Sequence, residues 1–216
     1  MTVESTRPVV VVDSVTHRIG STTALTDVSL SVDAGQLVVL AGRSGSGKTT
    51  LLHLVAGVSR PTSGRVEVLG DDPCVRHDWA SVSLTPQHSA VAGGLTVAEN
   101  VGLPASLRGG AVDAALLASL GLDAVADRPA TDTSLGEQQR TAIARGLVLQ
   151  PVVALFDEPT SHQDDEHVDL VLAALLEARA RGSAVVVATH DTRVVDVADR
   201  VVRLSEGRTS EEPRSP

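Results

Sequence analysis

The stretch Gly42-Arg-Ser-Gly-Ser-Gly-Lys48-Thr49-Thr50 constrains this chain more than any other. A glycine, four residues, then Gly47-Lys48-Thr49 is the spacing of a phosphate-binding P-loop. Its glycines let successive backbone N–H groups converge on an anion, and a helix that starts there aims its positive end at the same point. Lys48 is the single lysine of the chain, since the other seventeen of its 18 basic residues are arginines. A compact ammonium on a flexible stem can curl back over a phosphate chain, a task for which a planar guanidinium is a poor substitute. The Thr49 hydroxyl suits a Mg²⁺ ion that bridges two phosphates. The apolar run 37–41 leads into the loop as a strand, and 49–56 leads out as a helix. Residues Gly42, Arg43, Ser44, Gly45, Ser46, Gly47, Lys48, Thr49 and Thr50 are therefore candidates to hold a nucleotide.

Around this loop, short apolar runs alternate with helical patterns, which predicts a layered α/β fold. Strands are expected at 9–12, 28–32, 37–41, 65–69, 81–85, 152–156, 184–188 and 200–204. From about 95 to 150 the pattern is helical, with helices over 97–101, 112–120 and 135–149; a further helix spans 166–181. An α/β chain with a helical middle reads as a nucleotide-binding core carrying a helical insertion. At 216 residues it suits one domain. A net charge of -9 argues against a nucleic-acid partner, because affinity for a polyanion comes mainly from clustered Lys and Arg. One cysteine, Cys74, suits a reducing compartment. The segment 1–8 has no apolar run of signal-peptide length, and no stretch approaches the roughly 20 apolar residues that span a bilayer. The expectation is a cytoplasmic protein that reaches a membrane only through a partner, with a mobile polar tail after Glu206.

A second strand, 151–156, ends in Asp157-Glu158. In a P-loop enzyme an aspartate at this strand end orients Mg²⁺, while the adjacent glutamate can polarise a water for attack on the γ-phosphate. The competing reading, an acidic turn capping a strand, loses weight beside a P-loop. Residues 184–189 repeat the form and deliver His190 to the same sheet edge, where ligands of open parallel sheets gather.

The order of P-loop, Gln87, Ser134-Leu135-Gly136, Asp157-Glu158 and His190 resembles the ATP-binding subunit of ABC transporters over nearly the whole chain. The resemblance implies a P-loop core with an N-terminal antiparallel β portion and an inserted helical subdomain. The core would fall at about 1–87 and 150–206, the helical subdomain at about 88–149, and a polar tail at 207–216. It implies ATP and Mg²⁺ as cofactors and a head-to-tail dimer with a second copy or a related subunit. In that dimer, Ser134 and Gly136 would contact the γ-phosphate held by the other subunit. Gln87 matches the glutamine that touches Mg²⁺ or the attacking water, and Asp164 matches a loop that crosses the interface. Ile19 falls where an aromatic normally stacks on adenine. The stretches 95–104 and 48–53 look like the lipoprotein-release and macrolide-export branch, whose members serve permeases with few membrane helices.

The chain departs from this family at three places. Thr133, Leu135 and Glu137 alter the usual Leu-Ser-Gly-Gly-Gln signature. Leu135 either holds the signature backbone away from phosphate or packs on the helical arm and presents Ser134. No tyrosine exists anywhere in the chain, so adenine would rest on Ile19 and its neighbours His17 and Arg18. His162 and Gln163 stand where Ala and Leu are usual. The function implied is ATP hydrolysis that powers a membrane permease. The alternative is a regulatory ATP-driven switch acting on an envelope protein without moving solute.

Overall fold

The computed structural model describes residues 8–75, 79–88, 90–110 and 114–211. Residues 1–7, read above as lacking a signal-type run, lie outside the described residues, as does 111–113 at the start of the helix expected over 112–120. The chain opens with β1 (Val10–Ile19), β2 (Thr22–Val32), β3 (Leu37–Ala41), α1 (Lys48–Val55), β4 (Ser63–Val68) and β5 (Val82–Thr85). Helices α2 (Val97–Ser106), α3 (Ala114–Ser119) and α4 (Leu135–Leu147) follow. The chain then runs through β6 (Val153–Asp157), α5 (Asp165–Ala180), β7 (Ala184–Thr189), α6 (Thr192–Val197), β8 (Arg200–Ser205) and β9 (Arg208–Glu211). This is the expected α/β architecture: an antiparallel sheet near the N-terminus, a mostly parallel sheet, and helices inserted between β5 and β6.

The larger sheet has the order β5-β6-β7-β3-β8-β9, with β5 to β8 parallel and β9 antiparallel to β8. Every residue of β3, β6 and β7 is buried. Strands covered on both faces read as unbroken apolar runs rather than alternating ones, which is why the sequence shows them so clearly. Their residues still divide by face. Leu37, Val39, Ala154, Phe156, Val185 and Val187 pack with α2, α4 and α5, whereas Val38, Leu40, Val153, Leu155 and Val186 pack with α1 and the antiparallel sheet. Burial of each of these Val, Leu and Phe side chains stabilises the fold by about 1.5–3 kcal/mol.

The smaller sheet, β2-β1-β4, departs from the expected short strands. β1 and β2 form a long hairpin paired from Val10↔Val32 to Ile19↔Thr22, closed by Gly20 at φ 60°. Its outer half carries Thr16, His17 and Arg18, so apolar runs mark only the inner half, and the rest is held by cross-strand bonding. α2 likewise continues past Val101 to Ser106 and accommodates Pro104 near its end. Buried Asn100 fastens its start by donating to the carbonyls of Leu95 and Thr96 and accepting from the Ala92 N–H. α6, capped by Asp191, has too short an apolar pattern to be read from sequence.

The expectation of a mobile tail after Glu206 is corrected at its first part. Arg208–Glu211 pairs with β8, and Gly207 donates to the Ser46 carbonyl (3.2 Å) while accepting from the Thr26 N–H (2.8 Å). A Cβ on Gly207, whose φ is 72°, would lie 2.6 Å from the Ala24 carbonyl oxygen. A polar strand at a sheet edge has no apolar signature, so only pairing reveals it. The turn thereby joins the hairpin to the P-loop. Ending the chain at Glu206 is expected to lower unfolding free energy by about 2 kcal/mol or more, from several backbone bonds of about 1 kcal/mol each. Urea unfolding checks this; an unchanged midpoint would show that the turn and β9 contribute nothing.

Candidate functional site

The carboxyl ends of β3, β6 and β7 lie side by side, since Ala41 pairs with Thr189 and Asp157 with Ala188. Each strand hands on a chemically distinct segment at the same edge: the P-loop, Asp157-Glu158 and His190.

The P-loop ends at Gly47, which starts α1 at φ 107° with no side-chain cap. By contrast α2, α4, α5 and α6 are capped by Thr96, Ser134, Asp164 and Asp191. The first N–H groups of a helix have no partner within it, so at α1 they remain open to an external acceptor. Lys48 curls back over the loop, donating from Nζ to the carbonyls of Gly42 (2.7 Å) and Arg43 (3.3 Å), and is 8% exposed. Ser46 Oγ is buried and unpartnered among the described residues. Gly42 is required here, because a Cβ would stand 2.3 Å from the Leu204 carbonyl oxygen and 2.7 Å from Ser46 Oγ. The orphaned hydroxyl, the uncapped helix and the ammonium form a cradle that fits a phosphate chain.

Thr49 Oγ1 donates to Asp157 Oδ2 at 2.7 Å, with Asp157 itself buried. A hydroxyl and a carboxylate are hard oxygen donors of the kind Mg²⁺ takes. Among the described residues no group of three or more His, Cys, Asp or Glu could hold a metal. An ion at Thr49 and Asp157 would therefore complete its shell with phosphate and water oxygens, as Mg²⁺ does in phosphoryl-transfer sites.

Glu158 has φ 48°, an uncommon conformation for a residue with a side chain. Its N–H donates to the Ala188 carbonyl (2.8 Å), so β6–β7 pairing imposes the turn. Its carboxylate accepts from Thr189 Oγ1 (3.0 Å), meets His190 Nδ1 at 3.0–3.1 Å, and lies 4.0 Å from Lys48 Nζ. Thr189, which the sequence reading took as plain strand, thus steadies this carboxylate. His190 is largely exposed. Asp191 caps α6 and binds Arg193, which also reaches Asp165. Burial raises the Asp191 pKa, but hydrogen bonds from Arg193 and Thr160 outweigh it and hold the carboxyl below its ordinary value.

Gln87 lies in the exposed bend after β5, the strand beside β6. Ile19 is 59% exposed at the hairpin tip. β2 abuts the P-loop, since a Cβ on Gly47 would come 2.7 Å from Leu25 Cδ2 and 2.9 Å from the Ala24 carbonyl oxygen.

Ser134 and Gly136 stand apart from this cradle, at the start of α4. Ser134 Oγ accepts from the Glu137 N–H (3.2 Å), and the Ser134 N–H donates to Glu137 Oε2 (2.7 Å), a complete capping box. That backbone bond lowers the Glu137 pKa against a smaller rise from burial. Leu135 is 62% exposed, so its side chain is not packed on the arm. Nor does it disturb the turn, since the capping box around it is complete. The contacts of this segment run to the loop before α5: Gln163 Nε2 donates to the Gly136 carbonyl (3.0 Å), and Arg140 Nη1 donates to Gln163 Oε1 (2.6 Å). Burial pushes the Arg140 guanidinium below its ordinary pKa. Asp164 caps α5 through the His167 N–H (3.0 Å).

A phosphate cradle, a magnesium-type oxygen pair and a carboxylate poised beside a lysine define a P-loop nucleotide hydrolase. Comparison with known proteins gives the family. The model described as ABC transporter matches residues 25–161. The chain is 41% identical over 202 residues to the lipoprotein-releasing system ATP-binding protein LolD of Anaeromyxobacter dehalogenans, covering 87% of this chain and 84% of that protein. It is 35% identical to the macrolide export ATP-binding/permease protein MacB of Salmonella typhimurium, over 88% of this chain but only 31% of that longer protein. Among solved structures, a dimeric ATP-binding cassette in a post-hydrolysis state with ADP and Pi has a TM-score of 0.85 and 29% identity, covering 95% of this chain and 98% of that one. The chain belongs to the ABC transporter family. It is an ATP-binding, ATP-hydrolysing cassette of that family.

Ser134→Ala is expected to cost about 1 kcal/mol through loss of the cap. Glu137, with its pKa held low, adds stability that is present above the ordinary carboxylate pKa and is lost as pH falls through the lowered value. Acid unfolding of Glu137→Gln should therefore show a shallower loss than wild type below about pH 4.5. Equal pH profiles for the two proteins would remove Glu137 from the account.

Proposed function

We propose that this chain powers a membrane permease by ATP-driven closure of a head-to-tail dimer. The observation that carries the reading is the uncapped start of α1 under Lys48, set 4.0 Å from the Glu158 carboxylate. In this reading the loop residues Gly42 to Thr50 and Lys48 bind the β- and γ-phosphates of ATP. Thr49, Asp157 and Gln87 hold Mg²⁺, which when bound neutralises phosphate charge. Glu158, steadied by Thr189, accepts a proton from the attacking water, and His190 donates toward the γ-phosphate from the neighbouring strand end. The left-handed turn at Glu158 keeps this carboxylate at the edge of the cradle. Ile19 provides an aliphatic rest for adenine, losing about 1 kcal/mol relative to an aromatic stack.

Ser134 and Gly136 serve the site of the opposite subunit. Their placement supports this: within one subunit the segment bonds to the loop around Gln163 and presents its helix start outward. Asp164 crosses between the subunits. Either a second copy or a related cassette completes the pair. The permease would dock on the face that carries Gln87, where Trp79, stacked under Arg108 at 5.2 Å, flanks a groove between β5 and α4. Thr85 Oγ1 is buried on that groove without a partner among the described residues. Among the described residues no helix is long and apolar enough to cross a membrane. In this reading the chain attaches to the inner face of the cell membrane through such a permease.

Lys48→Ala is expected to abolish productive ATP binding, by removing charge neutralisation. Glu158→Gln should keep ATP affinity yet lower turnover on the order of 10²–10⁴-fold, because it retains shape and loses the base. Nucleotide-binding titration and steady-state rates separate the two, and light scattering of Glu158→Gln with ATP should show a dimer. Equal loss of ATP affinity in both variants would refute these separate roles.

A further inference from the structure

A short loop, held by its own turn bonds, leads from the Glu158 backbone to the start of α4. The Glu158 carbonyl accepts from both the N–H (3.1 Å) and Oγ (2.8 Å) of Ser161, and the Gln163 N–H donates to the Thr160 carbonyl (3.4 Å). Positive φ at Glu158 (48°) and His162 (62°) curls this loop back on itself. From there the Gln163 side chain reaches α4 with both ends of its amide in use. Nε2 donates to the Gly136 carbonyl, and Oε1 accepts from Arg140, whose Nε is anchored on the Leu120 carbonyl at 2.9 Å.

The two backbones touch closely at this point. A Cβ on Gly136 would lie 2.9 Å from the His162 carbonyl oxygen and 3.3 Å from Gln163 Oε1. Arg140 is 4% exposed, and a buried guanidinium is stable only where its N–H groups find acceptors. An apolar side chain at 163 would take this side-chain donor from the Gly136 carbonyl and one acceptor from Arg140. Gln163 is thus not interchangeable with an aliphatic residue of similar length.

We propose that Gln163 is a positioning residue for ATP hydrolysis: its amide latches the loop leaving Glu158 to the Ser134–Gly136 turn, so that the two move as one body. This rests on the reading that Ser134 and Gly136 serve the opposite subunit's nucleotide. A displacement of Glu158 in one site is then carried to the signature turn acting on the other. The two sites of a dimer respond to ATP together, and the coupling passes through a side chain that the family pattern does not supply.

The test uses the full-length protein, with ATPase rate measured against ATP concentration, nucleotide affinity measured by titration, and dimerisation followed by light scattering. Gln163→Leu removes both bonds. Gln163→Glu keeps the acceptor for Arg140 and loses the donor to Gly136, so it remains informative if Gln163→Leu does not fold. Both folded variants are expected to bind nucleotide as wild type does; Gln163→Glu, which keeps an acceptor for Arg140, should melt within about 4 °C of it, and Gln163→Leu lower. Their kcat should fall on the order of fivefold, the worth of one hydrogen bond of about 1 kcal/mol, with the Hill coefficient dropping toward about one. A cooperative wild type with an equally cooperative and equally fast Gln163→Glu overturns the latch alone. A wild type that neither dimerises with ATP nor responds cooperatively overturns the dimer reading and the latch with it.

Discussion

Parallel pairing of β6 with β7, and of β7 with β3, decides where chemistry can occur in this protein. These strands are buried along their whole length and held in a common register, so their ends arrive together at one edge. Everything reactive is attached there. The Thr49–Asp157 bond spans 108 residues of sequence, yet it needs only β3 with its loop, the first turn of α1 and the end of β6, which lies across β7 from β3. The turn at Glu158 follows from the same pairing, because its N–H extends the ladder to Ala188 and forces the side chain back toward Lys48.

Helix ends divide the labour of the molecule. Where a side chain caps the helix, as at Ser134 and Asp164, the terminus is satisfied internally and its neighbours are free to face another surface. Where the cap is Gly47, the N–H groups await an anion. The same physical rule therefore marks α1 for binding and α4 for presentation. It also explains why Leu135 is tolerated: the capping box sets the backbone, and the side chain projects away from it. Packing of Leu135 on the arm, one of the two alternatives drawn from sequence, does not occur.

The N-terminal hairpin and the last strand are joined through Gly207, which bonds to Thr26 on one side and Ser46 on the other. The smaller sheet is thus fixed against the P-loop, through the Gly207 bonds and through Ala24 and Leu25 of β2 beside Gly47. No apolar stripe in the sequence announces the Gly207 bonds, since the residues involved are a glycine, a threonine and a serine.

The P-loop, the paired carboxylates after 151–156 and the histidine after 184–189 were legible in the sequence because each rests on local pattern. Glycine spacing, a lone lysine and unbroken apolar runs before polar residues are properties of contiguous chain. The central strands and the long helices α4 and α5 were legible for the same reason. The outer half of the β1–β2 hairpin, α6 and β9 were not, because polar edge segments and single helical turns are stabilised by partners rather than by their own composition. Tertiary structure alone decided that Thr189 supports Glu158, that Gln163 bridges Gly136 and Arg140, and that Gly207 closes on the P-loop. Each of these bonds joins groups distant along the chain, through a hydroxyl, a single side-chain amide or a backbone carbonyl, and such partners have no signature until folding brings them within about 3 Å.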